Sequence, residues 1–161
     1  MTSKQKYRIH CEKEPTIPIF SQAWWLDATA GEDWDVVIIE KNDEVIASLP
    51  FVIRKNKLGF TLLTQPRLTQ HLGPWLKISS EKYALKLGQE KDLIQELFSK
   101  LPKHDYYIQN WYFERTNWLP LYWMGYSQTT RYTYRINKLS DFDLIWNGLQ
   151  TNTRKRIKHC K

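Results

Sequence analysis

Positions 62–76 read LLTQPRLTQHLGPWL and place an arginine and a histidine four residues apart, among two prolines and a glycine. Arg67 offers a fork of donors suited to a carboxylate or a phosphate. His71 exchanges a proton near neutral pH. Together they suit an anchor for an anionic or polar acceptor. An ion pair for Arg67 and loop carbonyls for His71 would explain the same residues without a ligand. Gly73-Pro74 sets a turn on either account. The stretch is too long and too apolar for an ordinary connector.

Other side chains could complete such a site. Trp25 and Trp75 suit the wall of an acceptor groove, and the core would serve both equally well. Trp24 reads as core. Asn110 lies among aromatics in IQNWYF and needs hydrogen-bond partners if buried; that reading competes with a substrate contact. An amine acceptor must lose a proton to a base. Glu114 and Asp105 are the nearest acids, neither has a supporting motif, and no catalytic base is assigned. Cys11 and Cys160 stand at opposite ends of the sequence without clustered ligands. Neither a metal site nor a disulfide framework is expected, and the chain reads as reduced and cytoplasmic.

The 161 residues carry a net charge of +7, with eight Trp and nine Tyr. Arg154, Lys155, Arg156, Lys158 and Lys161 follow the last acid, Asp143, and leave only +2 for the rest. The basic character therefore belongs to the C-terminal segment, which argues against a nucleic-acid surface spread over the whole domain. Arg154, Lys155 and Arg156 could touch phosphates or form a solvated helix face. No apolar run is long enough to span a membrane, and no h-region of a signal peptide is visible.

The elements that must position these residues follow from periodicity. Residues 7–11 suggest a short strand. A helix is expected over 21–30, with Ser21 as N-cap, Phe20, Trp24 and Ala28 on its apolar line, and Gly31 as its stop. Residues 34–40 read as a strand buried on both faces, and Asn42-Asp43 as a turn. Residues 44–54 then form the second strand of a hairpin. Pro50 cannot donate to a ladder and predicts an edge or a bulge there. A third strand is expected over 59–64. A helix over 91–101 buries Leu93, Ile94, Leu97, Phe98 and Leu101. A strand over 105–113, a short helix ended by Gly125, and a strand over 130–136 follow. Ser140 opens another helix with Asp143 in an [ST]-x-x-[DE] cap. A basic helix closes the chain over 152–161. This order predicts an α/β (α+β) domain with a mixed, largely antiparallel sheet.

Taken in order, PIFSQAWWLDATAGEDWDVVIIEKNDEVIASLPFVIRK, LLTQPRLTQHLGPWL and TYRINKLSDFDLIWNGLQTNTRKRIKHCK resemble the FemAB-like branch of the GNAT acyltransferase superfamily. The resemblance runs over 18–161. It implies a GNAT-like sheet flanked by helices and transfer of an acyl or aminoacyl group to an amine-bearing acceptor. Acyl-CoA is the donor in the wider family, and aminoacyl-tRNA in the branch that builds peptidoglycan cross-bridges. Such enzymes join two GNAT-like domains. Residues 1–139 would be the N-terminal one, and 140–161 a helical basic link to a second that the chain lacks.

One departure matters. GNAT enzymes cradle the CoA pyrophosphate on backbone amides of a Q/R-x-x-G-x-G/A turn. The glycines at 31, 59, 73, 88, 125 and 148 cannot form it. No donor is expected to bind this chain tightly, and the chain is expected to be a truncated acceptor-side part, inactive alone, that partners a second domain or self-associates. A non-catalytic GNAT-like binding module is the alternative. A nucleic-acid binder acting through the basic segment is the weaker third, since tRNA enters otherwise only as acyl donor.

Overall fold

The computed structural model describes residues 1–78, 82–136 and 139–160. It divides into two compact units, Met1–Ser127 and Gln128–Lys161, and each is described by itself.

In the first unit, helices α1 (Ser3–Lys13) and α2 (Ala23–Ala30) precede a hairpin of β1 (Trp34–Lys41) and β2 (Glu44–Lys55). Then come β3 (Thr61–Thr64), β4 (Trp75–Leu76), α3 (Tyr83–Ser99), β5 (Tyr106–Ile108) and α4 (Leu119–Trp123). The sheet runs β1-β2-β3-β5, and β4 pairs with β2 on the same side as β3. All pairings are antiparallel except β3 with β5. The expected mixed, largely antiparallel open sheet flanked by helices is therefore what forms.

Strand alternation divides the core between the two sheet faces. Trp34, Val36, Val45, Val52, Leu72 and Trp75 pack with Tyr7, Ala23 and Leu26 of α1 and α2. Val37, Ile39, Leu49, Phe51, Leu63 and Leu76 pack with Ile94, Leu97 and Phe98 of α3 and with Leu121. β1 is buried on both faces, as its sequence predicts. Asn42 and Asp43 both adopt positive φ, 52° and 64°, as the two-residue hairpin turn between right-twisted strands requires. The α3 face is also as expected, although the helix starts eight residues earlier, at Tyr83.

Several expectations need correction. Residues 7–11 are helical. Thr2 Oγ1 accepts from the Gln5 amide and Gln5 Oε1 from the Thr2 amide, a capping box that starts α1. Tyr7 and Cys11 lie one turn apart on its inner face, so helix and strand readings bury the same pair. The second helix begins at Ala23, because residues 19–21 form a 3-10 turn. Ala23 and Leu26 of this helix face the core, whereas Trp24 is 57% exposed; Trp24 is not core. Pro50 is not at a bulge and β2 is not an edge strand, yet Pro50 has no strand partner on the side away from β1. The bulge in β1–β2 falls at Ile39/Glu40, and β2 is interior. The strand expected over 105–113 stops at Ile108, and its ladder resumes only at an isolated bridge between Leu72 and Trp111.

In the second unit, residues 130–136 form no ladder among the described residues. Alternation supplies a face, whereas a strand also needs a neighbour. Helix α5 (Phe142–Gly148) is capped by Asp141, which accepts from the Leu144 amide at 2.9 Å; Ser140 is not the cap. Helix α6 (Thr151–His159) follows and forms where expected. The Phe142 and Trp146 rings stack at 6.2 Å, and Lys158 Nζ lies 5.9 Å from the Trp146 ring.

Candidate functional site

The 62–76 stretch lies where the sheet is broken. β3 pairs with residues 52–55 of β2, and β4 with residues 47 and 48. Ten residues, 65–74, thus span a distance that three residues of β2 cover, and the surplus bulges out of the sheet. Pro50 faces this hole. Val52 and Ser48, on either side of it, pair outward with Thr64 and Trp75. In an antiparallel strand alternate residues address the same neighbour, so the donor that proline lacks would have pointed where no strand runs. Proline is tolerated inside the sheet for that reason.

Two glutamines close the hole. Gln109 Nε2 donates to Pro50 O at 2.9 Å, and its Oε1 accepts from the Gly73 amide at 3.2 Å and from Tyr107 Oη at 2.8 Å. Gln65 Oε1 accepts from the Asn110 amide at 2.7 Å, and its Nε2 donates to Thr69 O at 2.5 Å. The Leu72 amide donates to Asn110 O and the Tyr112 amide to Leu72 O, at 2.7 and 3.1 Å. Gly73 takes φ 91°, and a Cβ there would lie 2.9 Å from the Trp111 ring. Only glycine meets both conditions.

The sequence-derived residues divide between this loop and its supports. Arg67 is exposed near the loop tip, without an ion pair among the described residues. Beside it Leu68 is 87% exposed at φ 59°, a conformation a leucine rarely holds. His71 lies edge-on between Phe20 and Tyr112, with centroids at 4.9 Å on each side. Its Nδ1 is buried without a hydrogen-bond partner among the described residues. Burial pushes the imidazole pKa below its ordinary value, so the ring is neutral at pH 7. Trp25 Nε1 donates to Thr69 Oγ1 at 3.1 Å, and its ring meets Phe20 at 4.9 Å. Trp24, Trp25, Phe20, His71 and Tyr112 therefore form a continuous chain of rings.

Trp75 is buried, with Nε1 donating to Thr16 Oγ1 at 2.9 Å and its ring against His10 at 4.7 Å. Asn110 Nδ2 reaches Gln70 O at 3.4 Å, and its backbone carries the ladder. Asp105 accepts from the Thr61 amide through Oδ2 at 2.7 Å, which pins the start of β3 to β5. Arg154, Lys155 and Arg156 all lie on α6, with Arg154 Nη2 3.5 Å from Thr151 Oγ1.

No family model and no curated protein matches the chain. A solved structure of a ribosomal-protein-alanine N-acetyltransferase from Brucella melitensis biovar Abortus 2308 is similar at 6% identity and a TM-score of 0.40. The match covers 84% of this chain and 92% of that one. A likeness this slight carries neither a site nor an activity across.

Sequence reasoning missed Gln65, Gln109 and Tyr107, which hold the loop. It also missed a buried polar cluster between α3 and the 111–118 segment. There Glu90 Oε1 lies 3.5 Å from Arg115 Nη1 and Oε2 lies 3.4 Å from Asn117 Nδ2, while Arg115 Nη2 reaches Leu76 O at 3.4 Å. Burial lowers the Arg115 pKa and Glu90 opposes that shift. This pair tethers the exit of β4 to α3.

Chemically, the loop offers an exposed guanidinium, a neutral imidazole packed between rings, and an aromatic wall. Through Arg67 it can hold an anionic group. It presents no carboxylate to take a proton.

Proposed function

We propose that the first unit is the acceptor-side domain of a FemAB-like N-acyltransferase, with 62–76 as its acceptor loop. The observation that supports this reading is the loop itself: a fixed excursion from a broken strand, carrying Arg67 outward and His71 against a wall of rings. Arg67 would take a carboxylate of the acceptor, Trp25 would bound its aliphatic part, and the aromatic wall around His71 would meet its ammonium. The donor, acyl-CoA or aminoacyl-tRNA, would be held by a second GNAT-like domain, since the glycines of this chain cannot form the pyrophosphate turn. Residues 140–161 would lead toward that domain, and Arg154, Lys155 and Arg156 would meet donor phosphates.

The test is an amide-resolved NMR titration of the full chain with Nα-acetyl-lysine, which carries a free ε-amine and a carboxylate, against its Nε-acetylated counterpart. Shifts at Trp25 Nε1, the Gly73 amide and the His71 ring with the amine alone are expected. Equal shifts from both compounds, or shifts confined to residues away from the loop, would reject the assignment. Calorimetry with acetyl-CoA checks the donor side, where tight binding by this chain would overturn the placement of the donor site elsewhere.

A non-catalytic binding module is the second reading. It draws support from Gln109, whose side chain fills the hole, and from Asn110 and Trp75, whose polar groups are spent on structure. Saturable amine binding with no transfer after a donor domain is supplied would favour it.

A further inference from the structure

The hole opposite Pro50 is matched in kind, group by group, to one carboxamide. Its acceptors, Pro50 O at 2.9 Å and Thr64 O at 3.5 Å, face Gln109 Nε2. Its donors, the Gly73 amide at 3.2 Å and Tyr107 Oη at 2.8 Å, face Oε1. The Tyr107 hydroxyl oxygen also accepts from Trp111 Nε1 at 3.1 Å, which leaves its one proton for Gln109. Turning the amide over would set oxygen against two carbonyls and nitrogen against two donors, so the network fixes its orientation. A carboxylate would bring negative oxygen against Pro50 O. An ammonium would leave the Gly73 and Tyr107 donors unanswered.

The backbone around the hole yields to make it. β3 ends at Thr64, β5 breaks off at Ile108, and Pro50 contributes an acceptor without a donor. The lining is backbone apart from the Tyr107 hydroxyl, and other bonds also hold it: Leu72 pairs with Asn110 and Tyr112 beside Gly73, and Trp111 Nε1 donates to Tyr107 Oη. We propose that this hole selects a carboxamide, that the Gln109 side chain fills it as an internal ligand, and that a free amide takes its place once that side chain is removed. The inference is independent of acyl transfer, because it concerns a lining that would select an amide whatever the loop beside it does.

The experiment is chemical rescue in the full chain. Gln109→Ala removes the carboxamide and lowers Tm by about 6–10 °C, as the loss of two to three partly buried hydrogen bonds implies. Acetamide, the missing group as a free molecule, then raises Tm saturably and returns the Gly73 amide resonance toward its wild-type position. N,N-dimethylacetamide, which has no N–H, does neither, and wild type responds to neither compound. Equal responses to the two amides in Gln109→Ala, or a wild-type response as large as the variant's, would overturn the proposal.

Gln109→Glu supplies a second measurement should the alanine variant not fold. The protonated acid can still donate to Pro50 O, whereas the carboxylate cannot, so burial beside two carbonyls raises the folded pKa. Stability is then kept below the unfolded value of about 4.3 and lost as pH rises through the folded one. The Tm gap to wild type should be small near about pH 4 and widen by several degrees toward about pH 7. A gap that stays constant over that range would also overturn the assignment.

Discussion

Replacing Gly73 by alanine separates backbone strain from steric exclusion at the mouth of the loop. A Cβ at Gly73 would lie 2.9 Å from Trp111 Cγ and Cδ1 and 3.2 Å from Trp111 Cα, on a residue at φ 91°. Trp111 cannot yield. Its indole donates to Tyr107 Oη, its ring packs near Phe98 at 6.2 Å, and its backbone bridges to Leu72. Left-handed strain costs about 1–2 kcal/mol, and overpacking against fixed atoms adds about 1–3 kcal/mol. Gly125 supplies the control, with φ 85° and nothing within 4 Å of its added Cβ. Both substitutions reduce unfolded-chain entropy alike, so that contribution cancels in the comparison. Urea denaturation of the full chain, followed by circular dichroism, should give a loss of about 2–4 kcal/mol for Gly73→Ala and about 1–2 kcal/mol for Gly125→Ala. Equal losses, within about 0.5 kcal/mol, would mean that Trp111 moves freely. The account of a loop fixed by a rigid wall would then fail.

Other expectations rest on single residues. Arg8 grips Asp27 through both nitrogens, and Trp34 Nε1 donates to the same carboxylate at 2.9 Å. The Arg8 hydrogen bonds chiefly hold the Asp27 pKa below its ordinary value, so their stabilisation is present above that value and disappears as pH falls through the depressed one. Asp27→Asn should cost about 1 kcal/mol near neutrality, since the pair is partly solvated, and should flatten the acid limb of a stability profile. An unchanged acid limb would remove Asp27 from that role. His71 should titrate below about 6.5 in an NMR experiment, with loop stability falling as the solution is acidified from there toward its folded pKa. A His71 titration above 6.5 would contradict its burial between rings. Leu68→Asn should raise stability by about 0.5–1 kcal/mol, because asparagine accepts positive φ more readily; a destabilisation of that size would show that the exposed leucine makes contacts that matter.

The hairpin, its turn and the buried face of α3 were legible because each rests on local pattern. Val36-Val37-Ile38-Ile39 must be buried on both faces, and Asn42-Asp43 tolerates the backbone a tight hairpin needs. Tyr7 and Cys11 misled because a short apolar pair four apart satisfies either period, and the deciding feature, the Thr2–Gln5 box, lies outside the pair. Pro50 signalled an interruption at its own position, although in a strand that is interior to the sheet. It marks the neighbour that is missing, which sequence locates only through the register of two other strands. The same limit hid Gln109. Its bond to Pro50 joins residues 59 apart in the chain, and nothing in YYIQNW distinguishes a strand that continues from one that stops to send a side chain across. Of the site, Arg67 and His71 were visible as residue types in an irregular stretch, and Trp25 as an aromatic on the second helix. What holds them was not.

That division bears on how the loop is kept in one conformation. Ordering each residue costs about 1–2 kcal/mol of backbone entropy, and a hydrogen bond returns about 1 kcal/mol net. The amides of Gln65 and Gln109 cannot by themselves offset the fixing of residues 65–74. Apolar burial must supply the rest, and it is available: Pro66 and Thr69 are buried, Leu72 is 1% exposed, and the His71 ring fills the space between Phe20 and Tyr112. The glutamines therefore set where the loop leaves and rejoins the sheet, while the rings set how firmly it is held. The one large apolar side chain left out of that packing, Leu68, sits with Arg67 at the tip. A loop anchored at its base and along one wall, with its tip strained and exposed, has its stability spent on support and leaves its outer residues to meet something other than this unit's own core.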